Sequence, residues 1–212
     1  MRKLPIYILI DTSGSMRGEP IEAVKTGLRS LFSSLRRDPQ AMESVHICVI
    51  TFDREARIIL PLTRLDRLKL PEIPPLESSP TNMGEALELM LRCYGKEVVV
   101  SPDGQEGDWL PLAVVMTDGS PSDTDLFNRM CVLLSGPAYP FARIIGCAAG
   151  PKAKTEPLKR FSSDVVILET MDSNGFLRFW EWVSQSLAQQ SHDSSDSLDE
   201  MPPPPMEIKI AF

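Results

Sequence analysis

Residues 4–10, LPIYILI, are apolar without a break and stop at Asp11. A half-exposed strand alternates apolar with polar side chains, so an unbroken run of this length calls for a strand covered on both faces. The pattern returns in SVHICVITF (44–52), LPLAVVMT (110–117), ARIIGCAAG (142–150) and DVVILE (164–169). Helical stripes lie between. Glu19-Pro20 opens a helix, with proline in the first turn where its missing N–H costs nothing, and Ile21, Val24, Leu28, Leu31 and Leu35 mark one face. Further helices are predicted over 83–93, about 123–134, about 153–161 and about 173–189. Buried strands alternating with helices imply right-handed crossovers and an α/β fold: a Rossmann-like, mostly parallel central sheet with helices on both faces. One antiparallel edge strand is expected. Only Asp53, Arg54 and Glu55 separate 44–52 from ARIILPL (56–62), so those two runs pair as a hairpin. Residues 63–80 and 101–109 read as loops, and Asp103, Glu106 and Asp108 as part of a solvated one, since they lack the spacing of a calcium loop.

At 212 residues the chain suits one domain with a full core plus a tail, taken here as 1–189 and 190–212. The net charge is -7 and no basic cluster exceeds Arg36-Arg37, which excludes a nucleic-acid partner gripped through its phosphates. Cys48, Cys93, Cys131 and Cys147 sit in apolar runs with no C-x-x-C pair and read as reduced core residues of a cytoplasmic protein. Arg2-Lys3 before an apolar run resembles the start of a signal peptide, but Ile6 to Ile10 is too short for its apolar core. No stretch is long enough to span a bilayer.

In an open α/β sheet, ligands collect outside the carboxyl ends of the strands, near the switch in strand order. Three polar segments fall there: Asp11-x-Ser13-x-Ser15, SPTNMGEAL (79–87) with Thr81 leading into a helix, and MTDGSPSD (116–123) with Asp118 after a buried strand. They supply two carboxylates and three hydroxyls, and Gly14, Gly84 and Gly119 allow close backbone approach. An all-oxygen set suits a hard divalent cation, magnesium first, with manganese or calcium as alternatives; with no Cys or His in these segments, zinc is disfavoured.

Each candidate has a plainer reading. Asp11 or Ser13 can cap the next helix, Thr81 can cap its own, and Asp118-Gly119 is an ordinary turn. Their joint occurrence, in order and at predicted strand ends, favours the metal. An aspartate-nucleophile phosphatase needs a second aspartate at position 13, which is serine; a G-x-S-x-G elbow around Ser15 needs glycine there. His46 lies inside a strand and His192 in a polar tail, poor places for a general base. A metal-dependent phosphoryl-transfer or hydrolytic enzyme using the same carboxylates is the alternative to a non-catalytic binding module.

Asp-x-Ser-x-Ser, a later Thr before a helix, and Thr-Asp-Gly after a buried strand resemble the metal-ion-dependent adhesion site of a von Willebrand factor A domain. The resemblance covers roughly residues 4 to 189. More narrowly, LPIYILIDTSGSMRGEPIEAVKTGL, VITFD, WLPLAVVMTDGSPSD and FLRFWEWVSQSL resemble bacterial TerY-like proteins of tellurium-resistance and stress-response gene clusters. This implies a metal held by Asp11, Ser13, Ser15, Thr81 and Asp118, the two aspartates acting largely through water. It also implies a protein partner that presents Asp or Glu to the metal, in a system with kinase- and phosphatase-like members. Where many relatives have Gly-Gly-Thr, this chain has Ser79-Pro80-Thr81, whose proline restricts Ser79 and stiffens the approach to Thr81.

Gln190 is expected to end the final helix. An acidic linker, SHDSSDSLDE, then leads to Pro202–Pro205 and to MEIKIAF, whose alternation predicts a short strand. Ile208, Ile210 and Phe212 would be its buried face, with Glu207 and Lys209 outward, paired to an edge of its own sheet or a partner's; a frayed terminus is the alternative.

Overall fold

The structure is a computed structural model, and it describes residues 2–73, 80–99, 107–150, 153–168, 173–192, 205 and 208–211, with side chains of the last helix described for 174–185. Ser79, Asp103, Glu106, Glu207 and Phe212 lie outside the described residues. The strands are β1 (Leu4–Asp11), β2 (Val45–Phe52), β3 (Ala56–Arg64), β4 (Leu112–Thr117), β5 (Arg143–Ala149), β6 (Asp164–Leu168) and β7 (Ile208–Ile210). The helices are α1 (Glu19–Leu35), α2 (Pro39–Ser44), α3 (Met83–Glu97), α4 (Thr124–Leu134), α5 (Glu156–Lys159) and α6 (Ser173–His192).

These strands form one sheet in the order β3-β2-β1-β4-β5-β6-β7. β2, β1, β4, β5 and β6 run parallel, as their unbroken apolar sequences require. The chain leaves β1 toward β2 and later returns to β1's other side as β4, so strand order switches between β1 and β4. Alternate residues of β1 point to opposite faces. Ile6, Ile8 and Ile10 pack with Val24, Leu28 and Leu31 of α1 and Phe176 and Trp180 of α6. Tyr7 and Leu9 pack with Met83 and Leu87 of α3, Phe127 of α4 and Leu158 of α5. All four cysteines are buried free thiols.

Three expectations are corrected and one helix is added. β7 pairs antiparallel with β6, so both edges of the sheet are antiparallel, not only the β3 edge. Within β7, Ile208 joins the cluster with α6, but Ile210 on the same face is 36% exposed: an edge strand has a neighbour on one side only, and cover runs out along it. α6 continues past Gln190 to His192. α2 was not foreseen, although its start is local: Pro39 occupies the first turn and Asp38 accepts from the backbone N–H groups of Gln40 and Ala41 at 2.8 and 3.2 Å.

Asp108, expected in a solvated loop, is also corrected, because protein groups hold it on several sides. Its carboxylate accepts from the backbone N–H of Lys3 (3.2 Å) and Val99 (2.8 Å) and pairs with the Lys3 ammonium at 3.1 Å. Trp109 N–H donates to the Lys3 carbonyl, and the Arg2 guanidinium lies 3.7 Å from the centre of the Trp109 ring. The loop's end is thereby pinned to the start of β1.

Candidate metal centre

Asp11 is the last residue of β1 and is fully buried between β2 and β4. One carboxylate oxygen accepts from the Ser13 N–H at 2.7 Å, which turns the chain out of the sheet. The other accepts from Thr117 Oγ1 at 2.5 Å, across the switch point. A 3-10 turn over Gly14–Met16 then presents two hydroxyls: Ser13 and Ser15 Oγ lie 3.2 Å apart, and Ser15 Oγ donates to Asp118 Oδ1 at 2.8 Å. Thr81 approaches from the other side. A Cβ added to Gly119 would stand 3.2 Å from Thr81 Oγ1 and 3.9 Å from an Asp11 oxygen, so these two groups face one spot that stays open because residue 119 has no side chain. The fold therefore brings all five sequence candidates to one place.

The capping alternatives fare unequally. Ser13 makes no capping bond with its side chain, and α3 begins after Asn82, with no hydrogen bond from Thr81 Oγ1 among the described residues. Asp11 does accept one turn N–H, but its second oxygen is given to Thr117.

Electrostatically the site is unanswered. Burial pushes the Asp11 carboxyl up to about 6; hydrogen bonds from Thr117 and Ser13 oppose the shift, and the nearby Asp118 charge adds to it. Among the described residues no Lys, Arg or His forms an ion pair with Asp11 or Asp118. Nor does any group of three or more His, Cys, Asp or Glu side chains there converge as a metal site. What gathers at the β1–β4 switch is two carboxylates and three hydroxyls, a donor set for a hard cation rather than a soft one.

Several supporting residues were missed from sequence. Thr117 bonds Asp11 and also accepts from the Gly119 N–H at 3.1 Å. Asp53, buried after β2, accepts from Thr12 Oγ1 at 3.4 Å and from the Glu55 N–H at 3.2 Å, and Arg57 lies 3.7 Å away. Ser122 and Asp123 hold the Thr81 segment. Thr117, Ser122 and Asp123 all stand in MTDGSPSD, and Asp53 closes VITFD, so the signal was proximity to quoted motifs; their partners are remote in sequence.

A sequence profile described as von Willebrand factor type A domain matches residues 6–165. The chain belongs to that family. Solved structures show the same fold for this vWA domain. One is a von Willebrand factor type A protein from Catenulispora acidiphila, 18% identical, TM-score 0.61, covering 86% of this chain and 42% of that one. Another is proximal thread matrix protein 1 from the mussel byssus, described with a zinc-occupied MIDAS motif, 13% identical, TM-score 0.61, covering 87% and 48%. A third is the pilus adhesin SpaC from Lactobacillus rhamnosus GG, 10% identical, TM-score 0.67, covering 90% and 30%. The matched region thus makes up less than half of each of these proteins. No curated protein matches the chain. No helix among the described residues is long and apolar enough to cross a membrane.

Proposed function

We propose that this vWA domain is a protein-binding module that holds one divalent cation, magnesium first, through Asp11, Ser13, Ser15, Thr81 and Asp118. The observation that carries the reading is Asp11 itself: a fully buried carboxylate, beside a second carboxylate, with no cation among the described residues to answer either. Buried charge without a partner is costly unless the partner is a ligand. The oxygen-only donor set fits magnesium, with manganese and calcium as alternatives. The zinc in the mussel protein's motif makes zinc a competitor that any titration must include.

When bound, the cation supplies an electrophilic position that an Asp or Glu of the partner completes. The chain's own residues set this up. Ser13, Ser15 and Thr81 offer neutral hydroxyls. Asp11 is already committed to Thr117 and to the Ser13 N–H, and Asp118 to Ser15, which suits aspartates that act through bridging water. Burial of Asp11 keeps its charge in a low-dielectric setting, where it attracts a cation more strongly than in water.

We infer further that the module is non-catalytic. His46 sits within β2 with Nδ1 2.9 Å from the Ser44 carbonyl, which leaves the site without a described imidazole as general base. The TerY-like motifs support a cytoplasmic place in a bacterial tellurium-resistance or stress-response system, with a kinase- or phosphatase-like protein as partner.

The test is calorimetry with magnesium, manganese, calcium and zinc, followed by affinity purification with and without chelator. One saturable magnesium site and a partner lost both in chelator and in folded Ser13→Ala or Thr81→Ala variants are expected. A partner retained in excess chelator overturns the docking role. Metal-stimulated turnover of a generic phosphoester, abolished by Asp11→Ala, turns the reading to the enzyme.

A further inference from the structure

Of the five candidate ligands, Thr81 is the one that no adjoining strand of the sheet positions. Asp11 ends β1, Ser13 and Ser15 follow it closely and Asp118 follows β4, so the ladder places them within a few residues. Thr81 instead stands just before Asn82, the N-cap of α3, and the described contacts that hold this stretch come from two other segments. Ser122 makes two hydrogen bonds to it: the Thr81 N–H donates to Ser122 Oγ at 3.0 Å, and the Ser122 N–H donates to the Thr81 carbonyl at 2.8 Å. The next residue, Asn82, donates its N–H to the Asp53 carbonyl and its side-chain amide to the Arg54 carbonyl, at 2.8 and 2.7 Å. That use of its side chain leaves α3 without a cap of its own.

Asp123 supplies the cap from 38 and 39 residues away. Its two carboxylate oxygens accept from the Gly84 N–H at 3.0 Å and the Glu85 N–H at 2.8 Å, the first turn of α3, where a negative charge is favoured. Asp123 also stands at the N-cap position of α4, the usual place for an aspartate to cap its own helix, and makes no such bond there. Both oxygens go to the neighbouring helix. The two helix starts can approach this closely because residue 84 is glycine: a Cβ there would lie 2.4 Å from the Phe127 backbone nitrogen and 2.7 Å from an Asp123 oxygen.

We propose that Asp123 is a positioning residue for Thr81: by capping α3 in trans it holds the Thr81 hydroxyl in register with Asp118, which is carried on the same β4–α4 loop. The inference rests on the metal-centre reading above. It makes the Thr81 segment an extension of the Asp118 segment, so that Thr81 and Asp118 are presented as a unit while Asp11, Ser13 and Ser15 form the other half. Residues that orient metal ligands without touching the metal typically cost about 10- to 100-fold in affinity when lost.

The experiment is a magnesium-binding cycle by calorimetry on wild type, Asp123→Asn, Thr81→Ala and the double variant, with metal-free thermal midpoints measured in parallel. Asparagine keeps one acceptor and sets an amide N–H₂ against the other helix N–H. Asp123→Asn is expected to weaken magnesium about 10-fold, and to weaken it no further once Thr81 is alanine, because it acts through that hydroxyl. Unchanged magnesium affinity in Asp123→Asn, or an equal loss with and without the Thr81 hydroxyl, overturns the proposal. Should Asp123→Asn fail to fold, Asp123→Ser, which withdraws the carboxylate from the Gly84 and Glu85 N–H groups while keeping a residue favoured at the N-cap of α4, goes through the same cycle, and the same two results overturn the proposal. Wild type that binds no magnesium, or binds it as well with Asp11→Ala, brings down the metal-centre reading and this inference together; a magnesium-binding wild type with an indifferent cycle brings down this inference alone.

Discussion

The two ends of β1 treat their carboxylates in opposite ways. At the start of the strand, Asp108 is matched by protein groups: two backbone N–H groups donate to it and the Lys3 ammonium pairs with it at 3.1 Å. At the far end Asp11 is more deeply buried, receives one backbone N–H and one hydroxyl, and lies beside Asp118 with no described cation. The first arrangement is complete without anything added. The second is stable only against the pull of its own burial, and that is the difference between a carboxylate that builds the fold and one that waits for a ligand.

The largest effect that can break this comparison is on metal binding. Asp11→Ala or Asp118→Ala is expected to abolish magnesium binding while the fold survives; at magnesium 100-fold above its dissociation constant, wild type gains about 2.7 kcal/mol of stability and the variants gain none. Thermal melts with and without magnesium read this out, and a variant stabilised like wild type shows the site to be misassigned.

Next comes pH. The native Asp11 carboxyl titrates at about 6 against 3.8 for the free group, so between those values the native state binds more protons than the unfolded state. The metal-free protein therefore gains stability from Asp11 as pH falls from 7 through 6 toward 4, by up to about 3 kcal/mol, and loses that gain as pH rises. Asp11→Asn is expected to raise metal-free stability at pH 7 and remove this component; denaturant melts at pH 7 and 5 decide it, and a variant less stable than wild type at pH 7 contradicts the account.

The matching carboxylate has the opposite sign. Asp108→Ala leaves the Lys3 and Val99 N–H groups without their acceptor, and is expected to cost about 2 kcal/mol at pH 7 with magnesium affinity unchanged. Should Asp11→Asn and Asp108→Ala shift stability in the same direction, the contrast between the two ends fails.

The smallest effect lies outside both ends. Removing residues 202–212 takes away β7 and with it the burial of Ile208, worth about 1–2 kcal/mol, and should leave magnesium binding intact. Slowed amide exchange at Ala211, whose N–H donates to the Val165 carbonyl at 2.8 Å, checks that the strand forms; fast exchange there means it does not.

Much of this molecule is legible locally. Unbroken apolar runs such as LPIYILI and LPLAVVMT specify buried parallel strands, because no half-exposed strand tolerates them. The stripe from Ile21 to Leu35 specifies α1, and the three residues 53–55 specify a hairpin, each from information within a few neighbours. Four of the oxygen-bearing candidates, Asp11, Ser13, Ser15 and Asp118, stood out for the same reason: strand ends are visible in sequence, and a polar residue at or just after one is conspicuous; Thr81 stood out instead as a hydroxyl leading into a helix.

What tertiary structure alone decided is which charges are answered. Asp108 and Asp11 are both acids next to apolar strands, and chain order does not distinguish them. Lys3 reaches Asp108 across 105 residues, Thr117 reaches Asp11 across 106, and Asp123 spends its carboxylate on a helix 38 and 39 residues away instead of its own. The first two contacts follow from the pairing of β1 with β4, and the third from the packing of α3 against α4, both of which place remote segments side by side. Local pattern tells each residue which face to bury; countercharge and hydrogen-bond partners depend on what the sheet brings next to it, and that is a property of the packed chain.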